Sequence, residues 1–321
     1  MALSIGFSSW YQSPNPSNVI TFLPKGHRIA SEHLIEGRHV ARLININAQS
    51  KALALLAGRR RVRQRGRGVD FEEVRLYAPG DDVRSIDWRV TARSGEPHTK
   101  LFQEDREQPI LVLVDLRSRM WFGSRNCFKS VLASHLASVL AWAGLDAGER
   151  VGGIVMTDNE LFEIKPQRSK RTVLRLLRSL EAANTGDHSD SDWVTAFSQL
   201  KNLSRPGARL LVISDFDDLL SHPSTEKTLS DLTRHQQIIA FKITDPLDAE
   251  LPPAGRYAIS DVAGQVSIDT SKNIVRERYR QEFATQHELI VEQLKSFQIP
   301  VVNVDTSDNP NDVLQTVFPR Q

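Results

Sequence analysis

From Gln108 onward the chain alternates short apolar runs with amphipathic segments. Ile110-Leu111-Val112-Leu113-Val114 is unbroken, as in a strand buried on both faces. Asn126 to Ala147 reads as a helix stopped by Gly148, followed by strands at Val151–Met156 and Leu161–Lys165. Ser169–Ala182 places Val173, Leu174, Leu176, Leu177 and Leu180 on one helical side. Further helices are predicted at Asp192–Leu203, Pro223–His235 and Asn273–Phe297. Strands are predicted at Leu210–Ile213, Ile238–Ile243 and Val301–Val304, with a small hairpin at Tyr257–Ile259 and Val266–Ile268. Alternation over some two hundred residues predicts an α/β fold, a mostly parallel sheet with helices on both faces.

The N-terminal third is patterned differently. Residues 1–27 show no period and read as a flexible tail. Ser31–Leu56 is weakly helical, and His98–Phe102 is extended. The expected division is a tail at 1–27, an N-terminal region at 28–105 and the α/β domain at 106–321.

Composition narrows the classes. The chain has 321 residues, 41 basic and 39 acidic, so no global field calls for nucleic acid or an anionic surface. The single cysteine, Cys127, rules out an internal disulfide and a cysteine-rich zinc site, and fits a cytoplasmic setting. The most apolar stretch, Val131–Leu145, is too short and polar to span a bilayer, so no membrane span is expected. An arginine run, Arg59, Arg60, Arg61, Arg63, Arg65 and Arg67, lacks interleaved aromatics and reads as a solvated or partner-facing basic face. His135, inside an apolar helix, reads as a packed core histidine. No phosphate loop, serine elbow or paired metal-binding histidines are present.

In open parallel sheets ligands sit beyond the carboxyl ends of the strands. Two apolar strands end there in acids, Val114-Asp115 and Ser214-Asp215. They read either as a cation site or as capping and salt-bridged aspartates.

The stretch from Gly66-Arg67-Gly68 through Arg75-Leu76-Tyr77-Ala78-Pro79-Gly80-Asp81-Asp82-Val83-Arg84-Ser85-Ile86-Asp87-Trp88-Arg89 to Ala92-Arg93 closely resembles the hallmark of the bacterial "domain of unknown function 58" family. The resemblance covers roughly residues 30–305 and matches the short branch without membrane helices. It implies a von Willebrand factor A-like domain and a MoxR-type AAA+ ATPase as partner, acting on client proteins in their assembly or activation. Within the hallmark, Pro79-Gly80 makes a turn that Asp81 or Asp82 closes. Arg75, Arg84, Arg89 and Arg93 alternate with Asp81, Asp82 and Asp87, which suits an ion network anchored by burial of Trp88. That network reads as a clamp on the α/β domain in preference to a ligand site.

Relatives of von Willebrand A type often bind magnesium through Asp-x-Ser-x-Ser, a threonine of a second loop and an aspartate of a third. Here the first loop is Asp115-Leu116-Arg117-Ser118-Arg119, with arginine at both serine positions. Asp215 matches the third loop. In the second, residues 184–191, Thr185, Ser189 and Asp190 are candidates. Arginine offers no lone pair to a metal. Either Arg117 or Arg119 folds over Asp115 and Asp215 in place of the cation, or both point outward and a weaker magnesium site remains. The leading expectation is a non-catalytic adaptor without a cofactor. The alternatives are a metal-dependent phosphohydrolase using Asp115 and Asp215 with Asp217 or Asp218, and a basic-arm nucleic-acid binder; nucleic acid is the less expected partner.

Overall fold

The computed structural model describes residues 23–48, 70–78, 83, 86–103, 108–183, 191–261 and 264–320. They fall into two units, one drawn from Met1–Gly58 with Pro109–Gln321 and the other from Arg59–Gln108. The N-terminal boundary therefore differs from the expected one. Residues after 28 that form a helix, α1 (Ser31–Ala41), belong to the large unit. The reason is packing. Leu34, Val40 and Ala41 of α1 are buried in the core beside Ser138 and Trp142. Ser138 Oγ and, at 3.3 Å, Trp142 Nε1 both donate to the Leu34 carbonyl. The long arginine run and residues 184–190 lie outside the described residues.

In the small unit, β1 (Asp70–Leu76) pairs antiparallel with β2 (His98–Gln103), and α2 (Trp88–Ser94) connects them. Asp87 caps α2 by accepting from the N–H groups of Arg89 (3.0 Å) and Val90 (3.2 Å). Gly95, at φ 78°, closes its C-terminus.

The large unit is built on six strands in the order β10-β7-β6-β3-β4-β5. These are β3 (Ile110–Asp115), β4 (Val151–Met156), β5 (Leu161–Gln167), β6 (Arg209–Ser214), β7 (Gln237–Thr244) and β10 (Val301–Asp305). All pairs are parallel except β4 with the edge strand β5. Side chains of a strand point alternately to opposite faces. Ile110, Val112 and Val114 enter one core, Leu111 and Leu113 the other. The first core is covered by α3 (Lys129–Asp146) and α4 (Lys170–Ala182), the second by α5 (Trp193–Leu203) and α6 (Pro223–Thr233). Helix α3 is apolar all round because α1, α4 and the sheet enclose it.

The remaining elements are a helical turn α7 (Pro246–Ala249), a hairpin of β8 (Arg256–Asp261) and β9 (Gly264–Asp269), the long α8 (Asn273–Ser296) and α9 (Pro310–Val317). The chain is thus a mixed α/β protein with a mostly parallel sheet and helices on both faces. No described helix is long and apolar enough to cross a membrane.

Adjacent glycines in β4 let the neighbouring strands approach closely. A Cβ on Gly153, which sits at φ 156°, would lie 2.0 Å from the Val112 carbonyl oxygen of β3. The β4–β5 register shifts between Val151 and Gly153. Gly153→Ala is therefore expected to cost about 3 kcal/mol through strain and overpacking, measured as a lower urea midpoint. An unchanged midpoint would refute the close approach.

Candidate functional site

The carboxyl ends of β3, β6 and β7 deliver Asp115, Asp215 and Asp245 to one edge of the sheet. All three are buried, Asp115 completely. A buried carboxylate is tolerated only when paired and hydrogen-bonded, and each finds its partners within the protein.

Asp115 is met by the chain two residues on. Its Oδ1 accepts from Arg117 N at 3.1 Å and Arg117 Nε at 2.9 Å, and its Oδ2 from Arg117 Nη2 at 2.8 Å and Ser214 Oγ at 2.8 Å. The guanidinium then reaches on to Asp218, with Nη1 to Oδ2 at 2.6 Å and Nη2 to Oδ1 at 2.9 Å. Its Nη1 also donates to the Ser191 carbonyl at 3.3 Å, and it stacks 5.2 Å from the Trp193 ring centre. Trp193 Nε1 donates to Asp218 Oδ1 at 2.8 Å, and Arg119 approaches the same oxygen at 2.9 Å. Burial opposes the charge of Arg117, but Asp115 and Asp218 more than reverse this and raise its pKa. Asp218 would be raised by burial, yet Arg117, Trp193 and Arg119 bring it below the usual carboxylate value.

Asp215 is neutralised from another direction. Lys129, the first residue of α3, places Nζ 3.1 Å from Asp215 Oδ2 and 3.2 Å from Asp248 Oδ2. Lys242, near the end of β7, donates to the Asp215 carbonyl and lies 3.6 Å from Asp217 Oδ1. Burial lowers the Lys242 pKa and raises those of Asp217 and Asp248, outweighing the pairing at each. Lys129 is the exception: burial opposes it, but Asp215 and Asp248 raise it. Asp245 accepts from Ser124 N (2.7 Å), Ser124 Oγ (2.6 Å), Thr306 Oγ1 (2.5 Å) and Leu247 N (2.9 Å), so it ties loops together.

The loop after β6 holds a strained turn. Phe216 adopts φ 61°, uncommon for a bulky residue. Its N–H donates to Ser214 Oγ at 3.0 Å and its ring stacks on Trp193 at 5.6 Å. These contacts hold the conformation that turns Asp217 and Asp218 toward their separate cations.

Set beside the expectations, Arg117 covers Asp115 but bridges to Asp218 and not to Asp215, because Lys129 already occupies the near side of Asp215. Arg119 forms its ion pair with Asp218. Ser118 turns away, donating from N and Oγ to Asp158 at 2.8 and 3.2 Å. Lys129, Lys242 and Asp248 escaped the sequence reading. A lysine inside the apolar run Ile238–Ile243, and another at the head of an apolar helix where the dipole disfavours a cation, were the available signals.

A divalent cation of the magnesium type needs hard oxygens converging at about 2.0–2.1 Å. Both oxygens of Asp115 are spent on Arg117 and Ser214, and Lys129 holds Asp215. This donor set does not fit the ion, and among the described residues no group of three histidine, cysteine or acidic side chains could hold a metal. The four acids named for phosphohydrolase chemistry are taken up by three cations, Asp115 and Asp218 by Arg117, Asp215 by Lys129 and Asp217 by Lys242, instead of facing one open position. Of the second-loop candidates, Thr185, Ser189 and Asp190 lie outside the described residues; the neighbouring Ser191 carbonyl meets Arg117.

The hallmark residues are only partly described. Gly80, Asp81, Asp82, Arg84 and the side chain of Arg75 fall outside. Tyr77 is half-buried, with its N–H on the Pro97 carbonyl at 2.8 Å. Arg89 and Arg93 are exposed on α2. Trp88 corrects the expectation of a buried anchor. It is 68% exposed, because it is the first residue of a short helix none of whose residues is buried. His135 is a core histidine as read. Its Nε2 lies 3.1 Å from Asn311 Oδ1, and burial lowers its pKa to about 4.

Removing one partner of a buried ion pair costs about 3–5 kcal/mol. Asp115→Asn and Arg117→Met are each expected to destabilise on that scale, and a double-mutant cycle should show a coupling above about 1 kcal/mol. Strict additivity would contradict the pairing. Asp218 has its folded pKa lowered, so its contribution is complete at neutral pH and fades as pH falls through and below the ordinary value of 3.8. Asp218→Asn should therefore flatten part of the acid limb of a stability–pH curve; an unchanged limb would count against the pairing.

The family model described as "Protein of unknown function DUF58" matches residues 73–289. Uncharacterized proteins of Mycobacterium tuberculosis and Mycobacterium bovis are each 28% identical over 265 residues, 80% of this chain and 81% of theirs. Among solved structures, the conserved hypothetical protein BatB from Bacteroides thetaiotaomicron is similar at 15% identity and TM-score 0.39, over 65% of this chain and 96% of that one. An aerotolerance-related membrane protein from Bacteroides fragilis is similar at 16% identity and TM-score 0.38, over 65% and 98%. With more than half of its length matched by that model, the chain belongs to the DUF58 family.

Proposed function

We propose that this protein is a non-catalytic adaptor that works with a MoxR-type AAA+ ATPase in the assembly or activation of other proteins, in a cytoplasmic setting. Its strand-end edge is a degenerate von Willebrand A-type metal site that serves as a protein-contact surface. The observation that carries the reading is the double engagement of each Asp115 oxygen by Arg117 and Ser214. A carboxylate so engaged is free neither to ligate a cation nor to take a proton from a substrate. The same edge leaves Phe122 and Leu220 exposed, at 37% and 42%, in the loops after β3 and β6. Exposed apolar side chains on the loop that also carries the part-exposed Arg119, and on the loop after β6 that it meets at Asp218, suit a docking surface. The ATPase as partner comes from the family resemblance.

Two measurements test this. Calorimetric titration with magnesium should give no binding at submillimolar concentrations; binding that disappears in Asp115→Ala would overturn the metal-free reading. The full chain should form a complex with the MoxR-type ATPase of its own organism. Phe122→Ala with Leu220→Ala should weaken that complex about ten-fold while the variant still unfolds cooperatively, as expected of hot-spot side chains. Absence of a complex in the apo, ADP-bound and ATP-bound states would overturn the adaptor role.

A further inference from the structure

Helix α4 carries a charge pattern that no described acidic side chain pairs with. Thr172, Val173, Leu176, Leu177 and Leu180 are buried against the sheet and α3. Directly opposite, Arg171, Arg175 and Arg178 follow one another at helical spacing of four and three residues, all exposed. Arg168 and Lys170, also exposed, add positive charge around the start of the helix, off the line of that row. None of the five has an ion-pair partner among the described residues. Glu181, the acid on the same helix, is turned aside to α1, where it accepts from Ser31 N at 3.3 Å and from Ser31 Oγ.

The arrangement opposes helix stability. Like charges three and four residues apart repel. Lys170 and Arg171 also stand in the first turn, which holds no acid, where the helix dipole disfavours cations. Among the described residues no acidic side chain pairs with the row to offset this, so a binding role explains it better than a solvated face does.

We propose that the outer face of α4 docks an acidic helix of a protein partner. Arginine forks take carboxylates in two-pronged hydrogen bonds. The rise of about 1.5 Å per residue sets Arg171, Arg175 and Arg178 about 4.5–6 Å apart along the axis. A second helix with carboxylates at the same spacing matches that row position for position. Leu174, 37% exposed beside the row, gives such a helix an apolar contact. A nucleic-acid backbone has no use for that leucine. One half-covered leucine supplies too little apolar area to seat the helix in a bilayer, where binding scales with buried apolar area.

The test uses the full chain and a synthetic helical peptide with glutamates at i, i+4 and i+7 and a leucine alongside. Its control has the same composition with the glutamates spread around the helix. At a salt concentration near the physiological ~0.15 M, fluorescence anisotropy should show the in-register peptide binding at least about ten-fold more tightly, which corresponds to about 1.4 kcal/mol. Arg171→Glu, Arg175→Glu and Arg178→Glu combined should abolish that difference, with an undiminished urea midpoint showing that the variant is folded. Should the triple variant unfold, Arg175→Gln with Arg178→Gln provides the same comparison. Equal affinity for the two peptides would overturn the proposal. So would tighter binding of duplex DNA or phosphatidylglycerol vesicles that the same substitutions remove.

Discussion

The arrangement of the strand-end edge depends on the need to neutralise Asp115. The side chain ends a strand buried on both faces and is itself fully buried. A charge so placed needs a partner of good geometry, and a guanidinium supplies two parallel donors where an ammonium supplies a point. Arg117 meets this need locally and then spans to Asp218. In doing so it fixes the loop after β3 to the loop after β6 and to the start of α5 through Trp193. Phe216 keeps its strained backbone because Trp193 and Ser214 hold it from two sides. Replacing the arginine would therefore loosen both loops and the start of α5 together.

The second ion cluster has a different origin. Lys129 and Lys242 come from elements that are otherwise apolar, and both are almost wholly buried. Their cost in desolvation is visible in the lowered pKa of Lys242 and the raised values of Asp217 and Asp248. Such pairs add little net stability compared with well-packed apolar side chains. They do set where α3, α7 and the loop after β6 meet, since Lys129 and Lys242 together reach Asp215, Asp217 and Asp248.

The α/β fold was legible because its strands are buried on both faces and so read as continuous apolar runs, while α4 and α5 show clear amphipathic periods. β1 was not, because its register shifts between Phe71 and Glu73 and breaks the alternation expected of a strand. α9 was missed although Asn309 and Pro310 form an ordinary cap and first position. In the site, the acids were legible because each follows an apolar run at a strand's end. Their cations were not, since pairing across 86 or 101 positions of sequence leaves no local pattern. Arg117 was the exception, two residues from its partner. Trp88 misled because an aromatic in a charged segment suggests burial, whereas its short helix buries nothing.

A counter-ion tethered to the chain differs from one drawn from solution. A bound ion stabilises its protein in proportion to the logarithm of its concentration, so that stability and shape follow the composition of the medium. Arg117 is present at a fixed local concentration set by two peptide units. The counter-charge of Asp115 is therefore supplied by the chain itself at every concentration of free ions.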